Sequence, residues 1–185
     1  QYSCSQLRLV VLDGTWRKSR KMLHTSPALQ RLPRLGGLED TPLERIVALR
    51  PDVVLAAPSS RVVERLESLG LAVVVLESRN HADVRRSLSV LASMLGEPAR
   101  GPALWADIDR QMQDAAATLP PALRGQRVYF EVDATPYAAG ASSFIGETLQ
   151  RLGLVNIAPA ALGPFPKLNP EFVVRARPEI VMATE

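Results

Sequence analysis

The sequence predicts an α/β fold of two small parallel-sheet lobes joined by one long rigid helix. Short apolar runs follow amphipathic helices, which is the pattern of strands buried on both faces of a parallel sheet. One helix-to-strand unit also occurs twice, as LERIVALRPDVVLA at 43–56 and as PEFVVRARPEIVMA at 170–183. Two copies of one unit indicate two related lobes.

The first copy carries clear start and stop signals. Asp40 and Thr41 are capping residues, and Pro42 suits the first turn of a helix. Arg50 ends the helix because the residue before a proline is pushed out of the α region. The apolar run at 53–57 then predicts a buried strand.

The remaining elements follow from the same reasoning. Three helices are each ended by a glycine, the usual C-terminal stop, and apolar runs predict the other strands. We expect helices over 61–69, 83–95 and 144–152, and strands over 7–12, 71–76, 127–132 and 155–157.

A helix over 103–119 separates the two halves of the pattern. Its apolar residues recur every three or four positions, and Pro120 and Pro121 end it. An uninterrupted helix is a rigid connection, unlike a Gly/Ser linker. The predicted organisation is a segment at 1–35, a first lobe at 36–97, a connecting helix at 98–120 and a second lobe at 121–185.

Composition excludes several classes of protein. Hydrophobic residues make up 46% of the chain, yet no stretch reaches the roughly 18 to 20 apolar residues of a membrane span. No signal peptide is visible behind Gln1. A single cysteine, Cys4, forms no internal disulfide and no cysteine-rich zinc site. His24 and His81 lack partners at metal-ligand spacing, so no directly bound metal ion is expected.

The charge changes sign along the chain. Residues 1–35 hold seven basic residues against one acid, a net charge of +6, while the remaining residues hold 15 basic and 18 acidic residues. Only the first segment therefore has the character of a nucleic-acid binder. Its string LVVLDGTWRKSRKML contains Asp13, Thr15 and Trp16 after a predicted strand, where α/β proteins place ligand-handling residues. A solvated basic helix explains the same pattern.

That string resembles the DTW-domain proteins, which are tRNA-uridine aminocarboxypropyltransferases. The resemblance implies Asp13 as a catalytic residue supported by Thr15 and Trp16, with S-adenosylmethionine as co-substrate and tRNA as partner. It covers only residues 1–35. A transferase fragment and a fusion with neither activity intact are the alternatives it raises, with a cytoplasmic location if this start is genuine.

Residues 36–185 resemble the helical-backbone substrate-binding proteins of ABC importers, which carry cobalamin, haem or iron-siderophore complexes. The resemblance rests on LERIVALRPDVVLA, on VYFEVDATPYAAGASSF and on FPKLNPEFVVRARPEIVMA, in uninterrupted order. It implies two lobes on one long helix, a metal chelate such as cobalamin between them, a periplasmic location and no enzymatic activity. No nucleic-acid partner is implied for this part. The first lobe is expected to be incomplete and the second truncated, with LRLVVL filling a strand position.

The family likeness also assigns residues. It implies that Glu44 and Glu171 dock on an ABC permease in the membrane, although glutamates at helix N-termini are also favoured by the helix dipole. Polar and aromatic residues at strand ends are the expected ligand contacts, and loop packing explains them equally well. The implied ligand-binding residues are Tyr137 and Phe165, the non-aromatic Leu38 and Pro58, and the hydroxyls of Ser142 and Ser143.

Overall fold

The computed structural model describes residues 9–11, 43–58, 62–133 and 137–184. The chain divides into two compact units, Gln1–Glu77 and Ser78–Glu185. Both units combine helices with mainly parallel strands, which confirms the α/β class. The domain limits predicted at residues 36, 98 and 121 stay a prediction.

The first unit contains a parallel sheet in the order β1-β2-β3. Val54 lies opposite Val10 on one side and Val73 on the other. The LRLVVL segment therefore supplies a strand of this sheet, as predicted. The elements are β1 (Leu9–Val11), α1 (Leu43–Ala48), β2 (Val53–Ala56), α2 (Val63–Ser68) and β3 (Val73–Val75).

The core of the first unit joins both helices to the central strand. Ile46 of α1, Val54 of β2 and Leu66 of α2 are fully buried and in contact. β3 is less buried than its apolar sequence predicts, with Val75 41% exposed. Among the described strands β3 pairs only with β2, so it lies at the edge of the sheet.

The second unit is built around β4. Its described helices are α3 (His81–Met94), α4 (Arg100–Thr118), α5 (Phe144–Arg151) and α6 (Pro170–Ala176), and its strands are β4 (Arg127–Asp133), β5 (Tyr137–Ala138), β6 (Val155–Asn156) and β7 (Ile180–Ala183). Short 3-10 helices lie at Pro121–Leu123 and Ala160–Leu162. β6 and β7 pair with β4 in parallel, whereas β5 pairs with it antiparallel through an irregular register. β5 is not predicted from the sequence, because a strand of two residues is too short to give a periodic pattern.

The two faces of β4 support two separate cores. Val128 packs with Leu149 and Leu154, while its neighbour Tyr129 packs with Ile157 and Leu168. Successive side chains of a strand point to opposite faces, so one strand serves both layers.

The helices α3 and α4 both begin earlier than predicted. α3 starts at His81 because Asn80 is an N-cap whose side chain accepts the N–H of Asp83 at 2.8 Å. α4 packs closely on α3, since a Cβ at Gly101 would lie 2.7 Å from the backbone oxygen of Leu88. Leu104, one of the apolar residues that recur along α4, is 43% exposed.

The repeated unit has the same structure in both copies. α1 leads into β2 and α6 leads into β7, with Arg50 and Arg177 at the equivalent turn positions. Each unit thus contains a helix, a turn ending in Arg-Pro, and a parallel strand. The internal repeat predicted from the sequence is confirmed.

Candidate functional site

The candidate site lies in the second unit, where β5 pairs with the segment 163–167. Tyr137 forms an antiparallel bridge with Lys167. Beyond it, Ala138 donates its N–H to the carbonyl of Pro166 at 2.9 Å, and Gly140 donates to that of Pro164 at 2.8 Å. These bonds make a two-stranded ribbon, which we call the aromatic ribbon (residues 137–140 and 163–167).

Two prolines set the character of this ribbon. Pro164 and Pro166 have no N–H, so in both bonds described above their carbonyls accept, from Ala138 and from Gly140. Phe165 stands between the two prolines, whose rings fix the backbone φ angle on either side of it. Its ring is therefore held on a stiff segment.

Three side chains of the ribbon are exposed. Tyr137 is 40% exposed and Phe165 is 47% exposed, and Lys167 is also exposed. Ala138 and Ala139 between them are buried, and Pro166 is half-buried. The structure thus brings together the two aromatic residues that the sequence singled out, with a lysine that it missed.

Close backbone contacts hold the loop after β5 in place. A Cβ on Gly140 would collide with the carbonyl oxygen of Gly163, and one on Gly146 would collide with that of Gly140. Asn156 donates from its side chain to the carbonyl of Ala139 at 2.7 Å. The ribbon is therefore joined to both α5 and β6 without room for adjustment.

The two predicted hydroxyl ligands have different environments. Ser143 is fully buried, and its hydroxyl donates to the carbonyl of Gly140 at 2.7 Å and accepts the N–H of Gly146 at 3.0 Å. It is the N-cap of α5. The hydroxyl of Ser142 is also buried but has no hydrogen-bond partner among the described residues. Of the two, Ser142 has the uncommitted group.

A carboxylate lies beside the ribbon on β4. Tyr129 donates its hydroxyl to the Glu131 carboxylate at 2.9 Å, and Glu131 is paired with Ala138. Burial, together with this hydrogen bond and the charge of Glu131, raises the pKa of Tyr129 to about 12. Tyr129 therefore stays protonated and donates to Glu131 at every physiological pH.

The two predicted docking glutamates occupy equivalent positions in the two units. Glu44 lies in the first turn of α1 and Glu171 in the first turn of α6, and both are exposed. Neither makes an ion pair within the described residues. α6 begins at Asn169, whose side chain accepts the N–H of Glu171 at 2.9 Å, so the glutamate side chain is not needed as a cap.

The structure says less about the other predicted site residues. Pro58 is exposed shortly after β2 in the first unit. Asp13, Thr15, Trp16 and Leu38 lie outside the described residues. In the described ranges no group of three His, Cys, Asp or Glu residues could hold a metal ion, and no described helix is long and apolar enough to cross a membrane.

Relatives of known function are cobalamin-binding proteins. The vitamin B12-binding protein of Pectobacterium atrosepticum is 24% identical in an alignment of 169 positions that covers 84% of this chain and 59% of that protein. The cobalamin-binding protein of Halobacterium salinarum is 30% identical in an alignment of 162 positions that covers 84% of this chain and 44% of that protein. The chain therefore spans about half the length of these relatives.

Solved structures share the fold at low identity. The periplasmic vitamin B12-binding protein BtuF of Vibrio cholerae has a TM-score of 0.71 and 19% identity, and covers 96% of this chain and 76% of its own. A periplasmic haem-binding protein from Pseudomonas aeruginosa has a TM-score of 0.73 and 22% identity, and covers 96% of this chain and 71% of its own.

The family model of the periplasmic binding proteins matches residues 11–185. It includes most of the first segment, so residues 11–35 need no second family to explain them. The comparisons give no support to the transferase alternative. The resemblance to binding proteins of cobalamin and haem is confirmed, and the chain belongs to the periplasmic binding protein family.

Proposed function

We propose that this chain is the substrate-binding component of an ABC importer that holds a corrinoid or a similar metal chelate. The observation that carries the proposal is the aromatic ribbon, whose two hydrogen-bonded segments each carry one exposed aromatic ring, Tyr137 and Phe165. Family membership and the ligands named for the relatives support it. As a binding protein of this family, the chain has no catalytic role and works in the periplasm.

Two exposed aromatic rings suit a large, flat and partly apolar ligand. Aromatic rings bury a large area on contact, and their faces gain most by stacking on another extended surface. Corrin and porphyrin rings offer such a surface. The metal would arrive inside the ligand, since the described residues contain no protein metal site of their own.

The buried hydroxyl of Ser142 adds a polar contact to the proposal. A buried hydroxyl without a partner costs free energy, roughly 1 to 3 kcal/mol. The oxygen is shielded from solvent although the residue is half-buried, so the side chain has to turn outward for a carbonyl or amide group of the ligand to satisfy it. We therefore assign Ser142, rather than the capping Ser143, as the serine that contacts the ligand.

Ligand binding is tested by absorption titration of the full natural protein with cyanocobalamin and with haemin. We expect micromolar or tighter binding of one of them, and a loss of about tenfold or more in Tyr137→Ala or Phe165→Ala. Leu162→Ala is the matched control, because Leu162 is an equally exposed apolar residue outside the ribbon. The proposal fails if neither ligand binds, or if all three variants weaken binding alike.

The partner is proposed to be an ABC permease that is recognised through Glu44 and Glu171. Each carboxylate is exposed at the same position of a repeated unit and makes no ion pair within the described residues. Rim charges of this kind set the association rate and the docking register more than the final affinity. Basic side chains on the permease are their natural complement.

Docking is tested by the association rate of the loaded protein with the reconstituted permease. Glu44→Arg and Glu171→Arg are each expected to slow association by about tenfold or more at low salt, with ligand binding unchanged. Glu64→Arg is the control, since Glu64 also lies exposed in the first turn of a helix. If the control slows association equally, net charge explains the effect, and the assignment of these two sites is overturned.

A further inference from the structure

A concave site on the second unit shares no lining residue with the aromatic ribbon. It is a groove of about 480 Å³ bounded by α3, α4 and α5. None of its lining residues belongs to the proposed ligand-binding or docking sets. They are His81, Ala82, Arg85, Arg86, Ser89, Trp105 and Arg151.

The groove is lined by arginines. Its lining includes three arginines and no aspartate or glutamate, although Arg86 is paired with Asp83 and Arg151 with Asp109. Ala82, Arg85, Arg86 and Ser89 follow one another at helical spacing, so one face of α3 forms a wall. A concave surface with charge of a single sign concentrates ions of the opposite sign. Such a lining favours an anion over a cation as ligand.

Arg85 and Arg151 supply the hydrogen-bond donors that are available to an anion in the groove. Arg85 makes no ion pair with any described residue, and Arg151 forms one ion pair, with Asp109 of α4. A guanidinium carries five N–H donors, so pairing with a single carboxylate leaves most of the donors on Arg151 available. Asp109 also fixes the position of Arg151. The pKa of Asp109 is lowered, mainly by its hydrogen bond from Arg151, so the pair persists at neutral pH.

Trp105 gives the groove an apolar wall. It is half-buried on α4, and its ring lies 5.7 Å from the buried imidazole of His81, which in turn contacts Phe144 edge-on at 4.6 Å. This cluster of three rings makes a fixed surface beside the arginines. A ligand with an apolar part as well as an anionic group would use both.

We infer that the groove binds a small oxyanion, a phosphate or carboxylate group, between Arg85 and Arg151, with the rest of the ligand against Trp105. Guanidinium groups bind both kinds of oxyanion through paired hydrogen bonds. The inference does not depend on the proposed transport function, because it involves none of the same side chains. It makes the second unit a binding protein with two sites of different chemistry.

The test is an NMR titration of the full chain with inorganic pyrophosphate and, separately, with citrate at constant ionic strength. The signals followed are the Nε–H of Arg85 and the indole N–H of Trp105, in a Trp16→Phe background that leaves one tryptophan. We expect saturable shifts of both signals with at least one of the anions, which also identifies the preferred group. The absence of saturable shifts up to about 10 mM of either anion overturns the inference.

Three glutamine variants separate a defined site from general attraction. Arg85→Gln is expected to weaken anion binding by about tenfold or more, the value of a charged hydrogen bond. Arg151→Gln should do the same. Arg110→Gln is the matched control, since Arg110 lies on α4 in an exposed ion pair with Asp107 and outside the groove. A loss as large in the control as in Arg85→Gln would mean that net charge, and no specific site, attracts the anion.

Discussion

Arg50 and Arg177 have the same left-handed backbone conformation, with φ of 46° and 47°, and each stands directly before a proline. Each donates its N–H to a helix carbonyl, that of Val47 at 3.0 Å and that of Val174 at 3.2 Å. The left-handed region costs an L-residue other than glycine about 1 to 2 kcal/mol. The repeated unit therefore retains the same unfavourable turn in both copies.

This turn gives the first prediction. Arg177→Gly is expected to raise the free energy of unfolding by about 0.5 to 1 kcal/mol, since glycine removes the steric cost but adds freedom to the unfolded chain. Urea denaturation measures it. Arg175→Gly, inside α6, is the control and should lower stability by about 1 kcal/mol. If Arg177→Gly is as destabilising as its control, the arginine side chain must stabilise the turn in another way.

The adjacent serines of the candidate site give the second prediction. Ser143→Ala removes the cap of α5 and should lower the free energy of unfolding by about 1 kcal/mol. Ser142→Ala removes a buried hydroxyl that has no described partner and should leave stability unchanged or slightly higher. Thermal denaturation of the two variants compares them directly.

Ligand affinity should distinguish the same two variants in the opposite order from stability. Ser142→Ala is expected to weaken binding of the chelate several-fold, because a hydrogen bond to the ligand is lost. Ser143→Ala should bind normally once folded. Equal affinity of wild type and Ser142→Ala would show that this hydroxyl does not contact the ligand.

The close approach of the ribbon loop to α5 gives the third prediction. Gly146→Ala places a Cβ against the backbone of Gly140 and Ala141, neither of which can move as a flexible side chain can. We expect a loss of about 3 kcal/mol or more, at the upper end of overpacking costs. Gly96→Ala is the control, since its Cβ would meet open space and only its φ of 78° is unfavourable. Its loss should be smaller, about 1 to 2 kcal/mol.

Local sequence signals predicted much of the fold. The Arg-Pro pairs ended both repeated helices, and glycines such as Gly153 ended others, since each acts through the backbone of one residue. Asn80 shows the limit of such reading, because an asparagine is a cap only if the next residues are already helical. Edge position is similarly invisible: Val73–Val75 reads as a buried strand, yet its exposure depends on which strands pair with it.

The candidate site was predictable only where the family likeness named its residues. Tyr137 and Phe165 were singled out in this way, but Lys167 and the groove arginines were not. Arg85 and Arg151 are 66 positions apart in the printed sequence, and only the packing of α3 against α5 brings them to one groove. No spacing rule links residues on different helices.

The last prediction concerns His81, which is buried between α3, α4 and α5. Its Nε2 lies 2.9 Å from the hydroxyl of Thr148, which itself donates to the carbonyl of Phe144. The hydroxyl can therefore only accept, so neutral His81 carries its proton on Nε2. Its Nδ1 lies 3.7 Å from the Glu147 carboxylate.

Burial lowers the pKa of His81 below its ordinary value of 6.5, and Arg151 lowers it further, while Glu147 and Asp109 raise it without offsetting the burial. The unfolded chain therefore takes up this proton at higher pH than the folded chain. The contribution of His81 to the free energy of unfolding should be constant above pH 6.5. It should fall as the pH drops from 6.5 toward the lowered pKa. Urea denaturation at about pH 7.5 and about pH 5, in a His24→Gln background, isolates the effect. His81→Gln, which can still donate to Thr148, should lose less stability between the two conditions than the protein with His81, and an equal loss in both would show that His81 does not titrate with folding.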